Sequence, residues 1–204
     1  MANVEHSALT GSNLHEPKGA DTANEFEVYI SDGAGSGDWT TITVDSLANT
    51  AKAFQAQLLH VVDAKADNTD GGTFTSGAWR TRTLNTERTN EISGASLSSN
   101  QITLPAGTFF IMASAPALGV GGHQTRLRNI TDGTTTILGT SEVVSTTTAQ
   151  TGRSYVQGRF TIAVQKVFEL QHRGTTTFST TGFGQAVDFD ESEIYSDVMI
   201  WKIA

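Results

Sequence analysis

Five histidines, His6, His15, His60, His123 and His172, and a run of carboxylates late in the chain are the side chains best suited to chemistry. None of the histidines stands at the His-x-x-x-His spacing that puts two imidazoles on one metal. His60 lies among apolar neighbours and reads as a structural residue. His123 follows Gly121-Gly122, at the edge of a loop, free to touch a ligand or simply solvated. The chain has no cysteine, which excludes disulfides, thiolate metal sites and a thiol nucleophile. It also has no Gly-x-Ser-x-Gly nucleophile turn. Gly33-Ala34-Gly35-Ser36-Gly37 is glycine-rich but lacks the lysine and following helix of a phosphate loop, so it reads as a turn. No catalytic residue is assigned, no cofactor is expected, and the chain does not read as an enzyme.

Asp188-Phe189-Asp190-Glu191-Ser192-Glu193 is the strongest chemical candidate. Clustered carboxylates bind Ca²⁺ through oxygen, with Asp188, Asp190 and Glu191 the ligands to consider. Two carboxyl groups facing a sugar could also form a glycosidase pair. Adjacent residues on one loop seldom hold either geometry, so a solvated acidic loop is the reading and no metal site is assigned. Asp67-Asn68-Thr69-Asp70-Gly71 has the wrong spacing for a Ca²⁺ loop and no closing glutamate. Trp79 and Trp201 fall in strand-like runs and read as packing residues, not as sugar platforms.

Bulk composition narrows the class further. The 204 residues carry 17% charged side chains, 20 glycines and a net charge of -8. Such an acidic surface repels phosphate backbones, so nucleic acid is not an expected partner. The amino terminus lacks the basic and apolar regions of a signal peptide. No run approaches the roughly 18 apolar residues of a membrane span. A soluble protein without a membrane partner is expected, made in a cytoplasm or assembled there.

The elements that would position these residues change along the chain. Residues 1–24 are polar and irregular, with too little apolar surface to order alone. They read as a disordered leader or as a peptide ordered on a partner. Residues 25–43 form two β-rich runs around a glycine-rich connection, a hairpin pattern that needs partners for stability. Residues 44–58 carry a short helix with Asp45 as N-cap. Its apolar positions Val44, Leu47, Ala51, Phe54 and Leu58 step by 3, 4, 3 and 4, the spacing of a coiled-coil seam. That seam packs on its own domain or on the same helix of two other chains.

From residue 58 onward, strands and turns recur at sandwich or barrel spacing. Strands are expected at 58–64, 78–84, 101–104, 107–115, 123–129, 136–139, 154–162, 166–171, 175–183 and 194–203. In the fourth, Phe109, Ile111, Ala113 and Ala115 share the core face, and Phe110, Met112 and Ser114 the other. In the last, Ile194, Val198 and Ile200 oppose Tyr195, Met199, Trp201 and Ile203. A strand apolar on both faces is covered on both. One cover is the opposing sheet; the other is a further element of the chain or a second subunit. The subunit reading makes an interface of Leu47, Ala51, Phe54, Leu58, Phe110, Met112, Tyr195, Met199, Trp201 and Ile203.

These strands carry a family resemblance. Gln101 to Ala117, with its Pro105-Ala106-Gly107 turn, resembles the central hairpin of the tumour necrosis factor and complement-head jelly-roll superfamily. Val198-Met199-Ile200-Trp201-Lys202-Ile203 is similar to its buried C-terminal strand. Gly72 to Asn85, Gly158 to Ile162 and Phe168 to His172 resemble segments of bacteriophage virion fibre and decoration proteins with such heads. Asn13-Leu14-His15-Glu16-Pro17-Lys18-Gly19 and Asp32 to Trp39 are similar to leaders of phage structural proteins.

The resemblance implies an all-β chain: a C-terminal jelly roll of the trimeric, tumour-necrosis-factor-like kind at 59–204. An extended anchor (1–24), a β-hairpin or short shaft (25–43) and one short helix (44–58) would precede it. It further implies a homotrimeric virion protein, a capsid decoration or head fibre. The leader would dock on the major capsid protein or another virion protein through Leu9, Leu14, His15, Glu16, Pro17 and Lys18. The alternative is a tail fibre or receptor-binding protein. Its Gly119–Gly122 and Ser145–Gly152 loops would meet a host surface glycan or protein.

Overall fold

The computed structural model describes residues 23–25, 27–31, 34, 37–41 and 57–203. The chain divides into two compact units, Met1–Phe54 and Gln55–Ala204. The leader residues from Leu9 to Lys18 and the seam positions Leu47, Ala51 and Phe54 lie outside the described residues.

In the first unit, β1 (Glu27–Ser31) and β2 (Gly37–Thr41) pair antiparallel. Tyr29 faces Trp39 across the pair, with ring centroids 5.6 Å apart and edge-on. Such an aromatic cross-strand contact stabilises a two-stranded ribbon.

The second unit is a two-layer β-sandwich. Its strands are β3 (Gln57–Lys65), β4 (Arg80–Thr81), β5 (Thr86–Asn90), β6 (Ser96–Ser98), β7 (Gln101–Leu104), β8 (Gly107–Leu118), β9 (Gly122–Asn129), β10 (Thr134–Val143), β11 (Thr151–Ile162), β12 (Lys166–Gly174) and β13 (Glu193–Lys202). One sheet runs β11-β8-β13-β3-β5, the other β10-β9-β12-β7-β6, with β4 beside β12. Apart from the β6–β7 and β9–β10 hairpins, successive strands of this unit lie in opposite sheets, and β13 lies beside β3. This order is that of a jelly roll, and the described part of the chain is all-β.

The core lies between the sheets. Phe109, Ile111 and Ala115 of β8, Val198 and Ile200 of β13, and Phe168 and Leu170 of β12 are fully buried. Burying each large side chain contributes roughly 1.5–3 kcal/mol, and strict alternation along β8 places Phe109, Ile111, Ala113 and Ala115 inward together. A smaller cluster of Phe74, Ala117, Val120 and Val144 fills one end.

Several turns are readable as chemistry. Ser99 and Asn100 both have positive φ, 52° and 65°, in the two-residue loop between β6 and β7. That is the geometry a twisted hairpin needs. Between β9 and β10, the Asn129 side chain accepts from the Asp132 amide and donates to its carboxylate, holding the turn.

Four expectations are corrected. Residues 101–117 are not a hairpin: β7 pairs with β12 and β6, while β8 pairs with β11 and β13, so the Pro105-Ala106 corner carries the chain from one sheet to the other. Residues 175–183 form turns with one bridge, Phe74 to Phe178, instead of a strand. Of 78–84 only Arg80 and Thr81 pair as a strand. Leu58, the last seam position, lies in β3 opposite Trp201, not in a helix.

Candidate functional site

The outer face of the β11-β8-β13-β3 sheet gathers apolar side chains that no second layer covers among the described residues. Antiparallel register sets them in rows, since side chains on directly opposed residues are neighbours. Arg159, Phe110, Trp201 and Leu58 form one row. Gln157, Met112, Met199 and His60 form the next, and Tyr155, Ser114 and Asp197 a third. The Phe110 and Trp201 rings lie 6.4 Å apart. Phe110, Met112 and Tyr155 are 37%, 38% and 43% exposed. A shallow depression of about 110 Å³ between Met112, Tyr155, Gln157 and Met199 breaks the surface.

Polar groups frame this patch. His60 Nε2 lies 2.9 Å from Asp197 Oδ1. Arg153 donates to Ser114 Oγ and, at 2.7 Å, to the Tyr195 carbonyl. Burial holds the Arg153 guanidinium below the usual arginine range, and the neighbouring Tyr155 and Asp197 oppose that shift.

Of the residues read as an interface, Phe110, Met112, Met199, Trp201 and Leu58 come together here. Ile203 follows the strand and is exposed. Tyr195 does not belong. A bulge between Ile194 and Asp197 shifts the alternation, so Tyr195 points inward, is buried, and donates from Oη to the Thr69 carbonyl at 2.7 Å. A bulge adds one residue to one strand and reverses the facing beyond it.

The acidic loop does not converge. Asp188, Asp190 and Glu191 are exposed, and Asp188 and Asp190 take positive φ. Among the described residues no three potential metal ligands stand together. Glu193, by contrast, is buried and accepts the Val187 and Asp188 amides, fastening the loop.

A groove of about 600 Å³ opens on the other sheet, between Trp79, Gln124, Ser141, Glu142, Arg173 and Thr175. Trp79 lies in the loop before β4, with Arg126 over its ring at 4.2 Å. His123 borders this groove but its ring is buried, not solvated at a loop edge, and its Nδ1 lies 2.9 Å from His172 Nε2. Beneath them Arg82 is wholly buried. It donates to Ser196 Oγ and to the Pro116 and Phe183 carbonyls, with its guanidinium 4.0 Å from the Phe183 ring centre. Burial first, eased by Asp63 and aggravated by Arg153, pulls Arg82 down to about 9.

Arg82, His172 and the groove carry no sequence motif. Parity would have found the first two: Arg82 alternates in step with buried Leu84, and His172 with Phe168 and Leu170. The groove has no local signal, because its wall comes from β9, β10, β12 and the Trp79 loop.

No protein-family model matches the sequence, and no curated protein does. Among solved structures, the chain is similar to the globular domain of zebrafish complement 1qA, at 12% identity over 74% of this chain and 98% of that one, with a TM-score of 0.47. It is also similar to murine APRIL at pH 5.0, at 10% identity over 72% and 99%, with a TM-score of 0.44. The strand order of the two sheets is what defines the jelly roll.

Proposed function

We propose that this chain is a structural protein that works as a homotrimer, with jelly-roll heads packed through the outer β11-β8-β13-β3 face. The observation that carries the reading is the row of exposed Phe110 and half-buried Trp201, flanked by exposed Met112 and half-buried Met199. A contiguous apolar patch on a folded surface marks an interaction site. Isologous contact of one face with itself closes at two copies; a threefold arrangement instead packs neighbouring parts of the patch around an axis. The 3-4-3 spacing of Val44, Leu47, Ala51 and Phe54 in the sequence and the jelly-roll resemblance support three.

In this reading the chain is a bacteriophage virion protein, a capsid decoration or head fibre. Its polar leader is the docking peptide for the capsid protein or another virion component, and the head stands outside. Support comes from the sequence segments that resemble phage fibre and decoration proteins. No catalytic role is assigned to the head. Deleting residues 1–24 is expected to abolish loading onto particles while leaving the oligomer intact, read by electron microscopy and sedimentation. Loading of the truncated protein would reject the anchor.

A second reading, a tail or receptor-binding protein, is favoured by one observation, the Trp79-Arg173 groove on the sheet opposite the assembly face. Its discriminator is whether the isolated protein binds host cells.

A further inference from the structure

We infer that the groove between Trp79, Gln124, Ser141, Glu142, Arg173 and Thr175 is a binding site for a saccharide bearing a carboxylate. The inference rests on the second reading above, that the head carries a ligand site, and not on the assembly face. The groove measures about 600 Å³, within the range of small-ligand sites. Its register is defined: Arg173 stands opposite Gln124, and Gln124 opposite Ser141, so three polar side chains line one row across β12, β9 and β10.

Each side chain has a part that suits a sugar acid. Trp79 supplies an aromatic wall, and its ring is held in place by Arg126 at 4.2 Å. Arg126 is itself pinned by two bonds to Gln171 Oε1, at 3.0 and 2.7 Å, and one to Thr135 Oγ1. A pre-oriented indole presents an apolar surface for the C–H face of a pyranose without loss of rotamer entropy on binding. Gln124 spends its amide N–H groups on the Gly139 carbonyl and Ser141 Oγ, which leaves its Oε1 as a fixed acceptor. Glu142 is the one carboxylate lining the groove among the described residues, an acceptor for hydroxyl pairs.

Arg173 decides the charge. It is exposed at the groove, and its side chain holds no hydrogen bond or ion pair among the described residues. A free planar guanidinium matches a carboxylate with two parallel bonds. Arg126 and Arg128 lie on the same face of neighbouring β9. After burial, the charges of Arg128 and Arg173 are what hold Arg126 below the usual arginine range. On a chain of net charge -8, a face where guanidinium groups repel one another is a place an anion relieves.

The test is saturation-transfer NMR on the full chain. The probes are the methyl glycosides of glucuronic, galacturonic and N-acetylneuraminic acid, with methyl glucoside and methyl galactoside as neutral counterparts. At least one acidic glycoside is expected to show transfer that weakens with salt. Arg173→Gln should lower that affinity about tenfold or more, the loss of a charge-assisted pair. Ser141→Trp, which fills the groove from an exposed position, should abolish it. Sedimentation of both variants checks that fold and assembly persist. Equal transfer from neutral and acidic glycosides, unaffected by Arg173→Gln, overturns the anion recognition while leaving a sugar site. Transfer from none of the probes overturns the site and removes the support for the second reading, whereas the assembly face is judged by sedimentation alone.

Discussion

Tyr195 and Trp201 stand six positions apart on β13, yet they face opposite sides of the sheet. The bulge between Ile194 and Asp197 separates them. Tyr195 is 4% exposed and its hydroxyl is bonded to the Thr69 carbonyl, while Trp201 lies in the outer row beside Phe110. One strand thus serves two purposes. Its start ties down the 67–71 loop, and its end supplies the centre of the proposed interface.

Substitutions at the two positions should therefore separate assembly from stability. Trp201→Asp places a charge in the apolar row and is expected to weaken self-association by about 2 kcal/mol or more per contact, as for a buried aromatic anchor. Sedimentation velocity should show the monomer with an unchanged circular dichroism spectrum. Tyr195→Phe deletes one half-buried hydrogen bond, worth about 1 kcal/mol, and should lower Tm while leaving the oligomer intact. A Trp201→Asp protein that stays fully assembled would reject this face as the interface.

Gly184→Ala should destabilise through the same tyrosine. Gly184 has φ of +136°, a conformation that side chains rarely adopt, and an added Cβ would overlap the Tyr195 ring. The ring is packed on the loop and cannot withdraw without losing its bond to Thr69. A loss of about 1–3 kcal/mol is expected, measured by urea denaturation. Tyr195 fluorescence should become more accessible to quencher.

The core was readable from β8 because its alternation is unbroken: Phe109, Ile111, Ala113 and Ala115 are inside, and Phe110 and Met112 outside. Periodicity alone puts Tyr195 on the outer face, because it carries no mark of the bulge between Ile194 and Asp197. The Pro105-Ala106 corner has the residues of a hairpin turn, and only pairing with β11 and β12 shows that it switches sheets. Thr86–Asn90 and Ser96–Ser98 are polar edge strands, without the apolar face on which a strand is recognised. The groove was invisible because its residues are joined only by tertiary register.

Arg82 should be one of the most sensitive positions in the fold. Its three acceptors, Ser196 Oγ and the Pro116 and Phe183 carbonyls, lie on separate segments. Arg82→Ala leaves them without their donor, opens a cavity and removes the positive charge near buried Asp63. A loss of roughly 3–5 kcal/mol is expected. Arg82→Lys keeps the charge but loses the fork that spans the acceptors, so it should rescue only part of the loss. Calorimetric Tm for both variants checks the order wild type, lysine, alanine.

The His123–His172 pair should make the fold acid-sensitive. Burial pushes both imidazoles down, His172 well below its ordinary value, with Arg82 and His123 adding to the shift. For His123, the Glu142 carboxylate partly opposes burial. Above pH of about 6.5 both rings are neutral folded or unfolded, and they add no pH dependence. As pH falls below that value, the unfolded chain takes up protons that the folded pair refuses, so stability declines. The decline continues until pH reaches the depressed folded values. Asp63 works in the other direction: burial raises its carboxyl, against Lys65 and Arg82, so its protonation favours the fold at lower pH. The net histidine effect is isolated by comparing Tm of wild type and His172→Gln between pH 7.5 and 5. The variant, with a side chain that does not titrate, should start lower at neutral pH and fall less steeply. Parallel curves for the two proteins would show that the pair does not control the acid response.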